Sequence, residues 1–311
     1  MSDTGMYELI ARNKRNSWLL VLILMLLLTA TAASFGFYWG GKEYAVGAAV
    51  EIGLLGLVFA GALSLFGYFQ GTSVIMAISS AHKADPDGER QLHNVVEELC
   101  IASGLPKPEV YIIEDSAPNA FACGRNPEHS AVAVTRGLMD KLNRNELQGV
   151  LAHELSHIQD YDILFATLIT VLVGTIVLMC DLFRRMTFLG MGRRRSSRSD
   201  RGGGQGQAIM AIVALALMII APVFAMIIQF AASRQREYLA DAAGAKLTRD
   251  PLSLASALGK IAGDPDPLEA ANRGTQHLYI INPLKAQAEF QSWFATHPPT
   301  KERIRRLREM T

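Results

Sequence analysis

His153, Glu154 and His157 stand within five consecutive residues, His-Glu-Leu-Ser-His. Two histidines at i and i+4 project from one face of a helix, about 5–6 Å apart at Cβ, so both imidazoles reach one ion. Glu154 lies beside them, where a carboxylate takes a proton from a water held at that ion. The borderline-soft, tetrahedral cation suited to two imidazoles and a carboxylate is Zn²⁺, one per chain. Given the His and Glu content of the chain, this pattern arises by chance with odds of roughly one in a hundred. The plain alternative is a pair of surface histidines flanking a helix glutamate. A catalytic site needs a third protein ligand and an open fourth position. The segment SRQREYLADAAGAKL supplies a candidate, because Glu237 and Asp241 share a helical face at i, i+4. In this reading Glu237 binds the ion. Asp241 accepts the other ring N–H of a ligand histidine, with His153 the expected recipient. For Glu237 the alternative is an ion pair with Arg234 or Arg236.

These residues need rigid elements to hold them. Asn143 followed three residues later by Glu146 is a capping-box variant, so a helix is expected to start there and carry His153 to His157. Upstream, Leu92, Val95, Val96, Leu99 and Cys100 fall at helical spacing, and Gly104 with Pro106 stops that helix. PEVYIIED, NAFACG and SAVAVTRGL read as strands, the last two separated by the turn residues of GRNPEHS. Residues 70–162 therefore form the first part of a soluble, mostly α (α+β) domain with a small antiparallel sheet. Residues 233–311, helical patterns broken by Pro251, GDPDP and the HPP at His297–Pro299, form the second part.

Between and before these parts lie four apolar stretches: Ser17–Gly40, Ala45–Phe69, Ile163–Leu182 and Ala208–Ala232. Each offers roughly 20 apolar residues, about 30 Å as a helix, which matches the hydrocarbon thickness of a bilayer. The first has a basic lead (Arg12, Lys14, Arg15) and small residues in TATAAS, as a cleavable signal does. Its apolar run continues to Phe37, Tyr38 and Trp39, which favours a retained helix with an interfacial aromatic cluster. Residues 17–69 are then a transmembrane hairpin, preceded by a cytoplasmic segment 1–16. Residues 163–232 are a second hydrophobic hairpin around an Arg/Gly/Ser-rich linker, 184–207, with seven arginines against one acid. Glu51 lies two turns from Tyr44, close enough to the interface to snorkel.

Composition agrees with this division. Of 311 residues, 50% are hydrophobic and only 19% charged, which excludes disorder and a highly charged nucleic-acid binder. Mean hydropathy is +0.19. A net charge of +1 names no partner, and three cysteines (Cys100, Cys123, Cys180) are too few for a disulfide framework. Cys123 is expected as a small core residue. His82, His93, His129 and His277 are expected as surface or core histidines rather than ligands.

Taken together, HELSH before the third stretch, EYLAD after the fourth, PNAFACG upstream and HPPTKERIRRL at the C-terminal end resemble the HtpX-type membrane zinc proteases, relatives of the CAAX prenyl proteases. The resemblance covers nearly the whole chain. It implies a zincin-type catalytic domain with His153, His157 and Glu237 as zinc ligands and Glu154 as general base. It also implies that Asn119 and the edge strand around Ala120 and Phe121 hold the substrate backbone by strand addition. His297 and Arg303 would lie near the cleft, His297 as a transition-state stabiliser. Otherwise His297 only shapes the turn before Pro298, and Arg303 only pairs with an acid. The arginine-rich linker has no counterpart in that pattern.

His157 and Glu237 must meet at one ion, so the number of spans between them is even. The third and fourth stretches therefore cross as a hairpin or not at all. Crossing puts seven arginines outside, against the positive-inside bias. Not crossing requires burying some 40 apolar residues in a small soluble part. Crossing is the expectation. The function expected is a multi-pass zinc endopeptidase of the cell membrane. Its site faces the cytoplasm, and its substrates are membrane-associated or unfolded proteins. The rival is a scaffold that keeps the fold without turnover.

Overall fold

The computed structural model describes residues 3–172, 174–175, 234–271, 274–283 and 298–311. The third stretch beyond 175, the linker 184–207, the fourth stretch and His297 lie outside the described residues. The chain divides into two units. One contains 1–17, 68–170 and 229–311; the other contains 18–67 and 171–228.

The second of these contains residues 18–39 of helix α1 (Asp3–Trp39) and 41–67 of helix α2 (Gly41–Ile78), which meet at a turn with Gly41 at φ 70°. Their apolar windows, Ile10–Phe37 and Glu43–Ile78, have the length and composition to cross a membrane. Small residues let the backbones approach, and a Cβ on Gly36 would lie only 2.3 Å from the Ala48 carbonyl oxygen. Leu22, Leu54, Leu55 and Val58 stay exposed, as lipid-facing side chains do. The Tyr44 hydroxyl donates to the Glu51 carboxylate, so the one acid of this stretch has a partner at the expected distance of two turns.

The first unit takes the start of α1, up to Ser17, and the end of α2, from Tyr68. That helix extends to Ile78, nine residues past the expected stretch, because Gln70, Gly71 and Thr72 interrupt the apolar run without breaking the helix and the run resumes at Val74. A four-stranded sheet follows, in the order β1-β2-β4-β3: β1 Ala81–Lys83, β2 Glu109–Ile113, β3 Ala120–Asn126 and β4 His129–Thr135. The sheet is mixed rather than wholly antiparallel, since β2 and β4 are parallel while β3 and β4 form a hairpin. The tight turn at Asn126–His129 forces that hairpin. The longer 114–119 loop lets β3 cross to the far side of β4, where it becomes an edge.

Helix α3 (Arg90–Ser103) buries all five residues expected of it and stops at Gly104. Thr135 ends β4 and caps a short α4 (Arg136–Lys141), where the sequence reading continues the strand. Helix α5 (Arg144–Gln159) starts from the capping box, with Asn143 Oδ1 accepting from Glu146 N and Glu146 Oε2 from Asn143 N, both at 2.9 Å. Glu146 is itself buried, and Ser256 and Lys260 each donate to it at 2.7 Å. Helix α6 (Asp162–Leu172) follows, then α7 (Arg234–Thr248), α8 (Pro251–Gly263) and α9 (Thr300–Arg308).

Helix α5 is the hub. Its buried face packs on the sheet face of Val110, Ile112, Ala122, Val132 and Val134, and against α3 and α8. Helix α7 crosses it closely at Gly244, where a Cβ would meet the His153 amide nitrogen at 3.0 Å. That approach brings an acid-bearing helix onto the histidine-bearing one. The opposite sheet face, with Phe121, Cys123, Ala131 and Ala133, packs on Ile75, Leu268 and Tyr279. Cys123 is fully buried, as expected.

Candidate metal centre

One helical turn on α5 separates His153 from His157, and their Nε2 atoms approach to 3.2 Å. Helix α7 adds Glu237, whose carboxylate oxygens lie 3.7 Å from each of those nitrogens. One donor atom from each of the three residues falls within 4.8 Å of the others. The opposite ring nitrogens both face carboxylates. His153 Nδ1 lies 3.0 Å from Asp241 Oδ1, and His157 Nδ1 lies 3.2 Å from Asp162 Oδ2. In the neutral rings a carboxylate keeps the proton on Nδ1, which leaves Nε2 as the ligating atom, aimed at one point beside the Glu237 carboxylate. Three electron-rich atoms converging this way repel one another unless a cation lies among them. The donor set of two imidazoles and one carboxylate therefore fits a metal ion, and it suits zinc.

The acid–base groups are shifted by the same surroundings. Burial pushes Glu154 up to about 7 and His153 down to about 4. For His157, burial acts downward, but the Asp162 hydrogen bond and the charges of Glu237 and Asp162 outweigh it, giving about 9 for the protein groups alone. Burial would raise Asp241, but Arg303 and then His153 hold it down at about 2. Arg303, from α9, is buried and grips Asp241 at 2.7 and 2.8 Å; its Nη1 also donates to the Ile280 carbonyl at 2.8 Å. It thus pairs with an acid and borders the cleft at once, 3.7 Å from Glu237.

Beside the three converging residues opens a cleft lined by Ala122, Glu154, His157, Glu237, His277 and Leu278 among others. Strand β3 runs along it. The Asn119 backbone pairs with Thr135, and the Asn119 side chain donates to the Ile281 carbonyl at 2.9 Å and accepts from Ala120 N at 3.1 Å. The Ala120 carbonyl accepts from Ile280 N at 3.0 Å, and Gly124 N donates to Thr167 Oγ1 at 2.9 Å. Strand alternation then turns the backbone of Phe121 toward β4 and that of Ala122 outward, toward the cleft. The Phe121 ring sits edge-on to Tyr279 in the core. Of the three positions expected to hold substrate, Asn119 and Ala120 thus grip the chain's own 280–281 segment. Ala122 is the residue whose backbone faces the cleft, which Glu154 also lines.

Two cleft residues escape the sequence reading. Asp162 precedes an apolar run and reads as its boundary. Arg236 reads as a partner for Glu237, yet it pairs with Asp162 at 3.0 Å. His277 is a core histidine, as expected, buried on the cleft wall 3.2 Å from Thr170 Oγ1. His82, His93 and His129 contact Glu114, the Ala84 carbonyl and Asn126 respectively, outside the cleft.

Residues 86–311 match the sequence pattern described as Peptidase family M48. The chain is 43% identical over 319 residues to a protein named Protease HtpX homolog from Thermoanaerobacter pseudethanolicus, covering all of both chains. A relative of the same name from Caldanaerobacter subterraneus is 40% identical over 318 residues, again covering both chains fully. A third, from Dictyoglomus turgidum, is 43% identical over all of this chain and 96% of its own. The crystal structure of S. mikatae Ste24p aligns with 94% of this chain and 66% of that one, at 21% identity and a TM-score of 0.44.

Proposed function

This membrane metalloprotease belongs to Peptidase family M48, and we propose that it is a zinc-dependent endopeptidase cleaving unfolded or membrane-associated proteins in membrane quality control. One observation carries the reading. His153, His157 and Glu237 converge within 4.8 Å, both imidazoles are oriented by carboxylates, and Glu154 lines the same cleft. Zinc, when bound there, polarises the scissile carbonyl and makes water a better nucleophile near neutral pH.

The rest is done by side chains. His153, His157 and Glu237 would hold the ion, and Asp241 fixes the His153 tautomer. Arg303 keeps Asp241 ionised and aimed. A Glu154 carboxylate oxygen takes the proton of the attacking water and returns it to the leaving amine nitrogen. The substrate backbone adds along β3, within the frame held by Asn119, Ala120 and Phe121 and centred on the outward-facing Ala122. His297 enters this reading only through the resemblance, as a stabiliser of the transition state.

In this reading the site faces the cytoplasm at the cell membrane. Arg12, Lys14 and Arg15 precede the first span, and an even number of spans separates His157 from Glu237. The test uses the full chain in detergent, with zinc measured by elemental analysis and cleavage of unfolded casein followed for wild type and Glu154→Gln. One zinc per chain in both, with cleavage by wild type alone, is the expected result. Zinc without cleavage in wild type returns the chain to the scaffold reading.

A further inference from the structure

Asp162 links His157 to a residue about 150 positions earlier. Its Oδ2 faces His157 Nδ1 at 3.2 Å, while its Oδ1 accepts from Asn13 Nδ2 at 2.9 Å and from Arg236 Nη1 at 3.0 Å. The same Asn13 nitrogen donates to the Asp160 carbonyl at 3.0 Å. Asn13 is only 4% exposed although it sits in a segment with a basic, polar composition. Between its two acceptors lies Tyr161, a non-glycine residue at φ 61°. That left-handed conformation is unfavourable for a side chain and persists only where the surroundings impose it. Here Asn13 bridges both sides of the turn, and Lys14 Nζ lies 3.8 Å from the centre of the Tyr161 ring. The turn folds the chain back from α5 into α6, so that a carboxylate five residues beyond His157 reaches its ring.

We propose that Asn13 and Arg236 are positioning residues for His157, acting through Asp162: together they fix the carboxylate that sets the His157 tautomer and ring angle. The segment preceding the first hydrophobic stretch is thereby part of the metal centre. This rests on the reading of His157 as a ligand. A single carboxylate oxygen with two donors cannot rotate freely, which leaves the other oxygen aimed at Nδ1. Loss of either donor loosens that aim without touching a ligand.

The test is metal affinity of the full chain, measured with Zn²⁺ and Co²⁺ against a chromogenic chelator, together with the visible spectrum of the Co²⁺ form. Asn13→Ala and Arg236→Gln should each weaken binding by about 10-fold, the scale of outer-partner losses, and shift the Co²⁺ bands. In an Asp162→Asn background the same Asn13→Ala change should add less than about two-fold, because its route to His157 is already cut. Glu8→Ala, at an exposed site on the same helix, should change nothing. Thermal melts of the metal-stripped proteins establish that each variant folds; if Asn13→Ala does not, Arg236→Gln carries the test through the same oxygen. Unchanged affinity and spectrum in the folded variants, or an equal loss in the Asp162→Asn background, overturns the proposal. Absence of metal binding in wild type overturns instead the reading of the site.

Discussion

Arg303 holds Asp241 at two points, Nε to Oδ2 at 2.8 Å and Nη2 to Oδ1 at 2.7 Å, while that same Oδ1 lies 3.0 Å from His153 Nδ1. Both partners are almost fully buried. Truncating one member of such a pair strands a charge, which typically costs about 3–5 kcal/mol. Arg303→Ala should therefore lose stability on that scale in denaturant unfolding of the metal-stripped protein. The double variant Asp241→Leu/Arg303→Met should lose less than Arg303→Ala alone. A cost below about 1 kcal/mol for Arg303→Ala would show the pair to be solvated.

Glu237 and Asp241 should separate by metal content. Glu237→Ala removes a converging donor and should abolish zinc retention through purification. Asp241→Ala leaves all three donors in place and should weaken zinc affinity by roughly 10–100-fold. Full zinc occupancy in Glu237→Ala, by elemental analysis, removes that residue from the ligand set.

Proline substitution on β3 distinguishes its two backbone directions. Ala122→Pro deletes an amide that faces Glu154 and the cleft. It should cut casein cleavage by about 10–100-fold, the equivalent of about 1–3 kcal/mol, with zinc retained. Phe121→Pro removes a β4-facing amide and a core ring, and should cost about 3–5 kcal/mol of stability instead. Wild-type cleavage by a folded Ala122→Pro protein would mean that substrate does not add along this strand.

The metal-free protein should respond to pH through His157. Its pKa is raised from about 6.5 unfolded to about 9 folded. The stabilisation it supplies is complete below about pH 6.5 and disappears as pH rises through about 9. Zinc requires the neutral ring, so the zinc-induced rise in Tm should grow over the same interval. Melting curves of stripped and loaded protein from pH 6 to 9.5 check both trends, and Asp162→Asn should flatten them. A stripped-protein Tm that does not fall across that range, or falls identically in Asp162→Asn, refutes the assignment to His157.

The linker 193–207 reports topology. It is polar and glycine-rich, a suitable protease target. With the second hairpin crossing, it lies beyond the reach of a cytoplasmic site, and wild type and Glu154→Gln should purify with the same fragments. Cleavage within 193–207 in wild type but not in Glu154→Gln would count against crossing.

Local chemistry made much of this fold readable beforehand. The Asn143–Glu146 box, the five buried positions of α3 and the i, i+4 pairs on α5 and α7 are all written within one helical turn of sequence. The parallel pairing of β2 with β4 was not readable, because strand order depends on how a six-residue loop crosses, not on side-chain alternation. The end of α2 was missed because polarity returns at Gln70 while the backbone finds no breaker before Ser79. Asp162, Asn13 and Arg236 form one cluster from three distant segments, and no spacing rule connects them. Burial of Ile163, Leu164, Leu168 and Ile169 among the described residues likewise gives the start of the third stretch a packing role that hydropathy cannot separate from a membrane one.

The outer edge of β3 is closed at both ends, by Ile280 on Ala120 and by Thr167 on Gly124. What stays open is about one residue long, near 3.4 Å of strand. An edge that short cannot template a growing sheet, which protects the molecule from polymerising with other extended chains or with its own copies. A substrate added there would be gripped through very few backbone bonds. Cut pieces should therefore depart quickly, and long chains should be shortened by repeated capture and release rather than by threading.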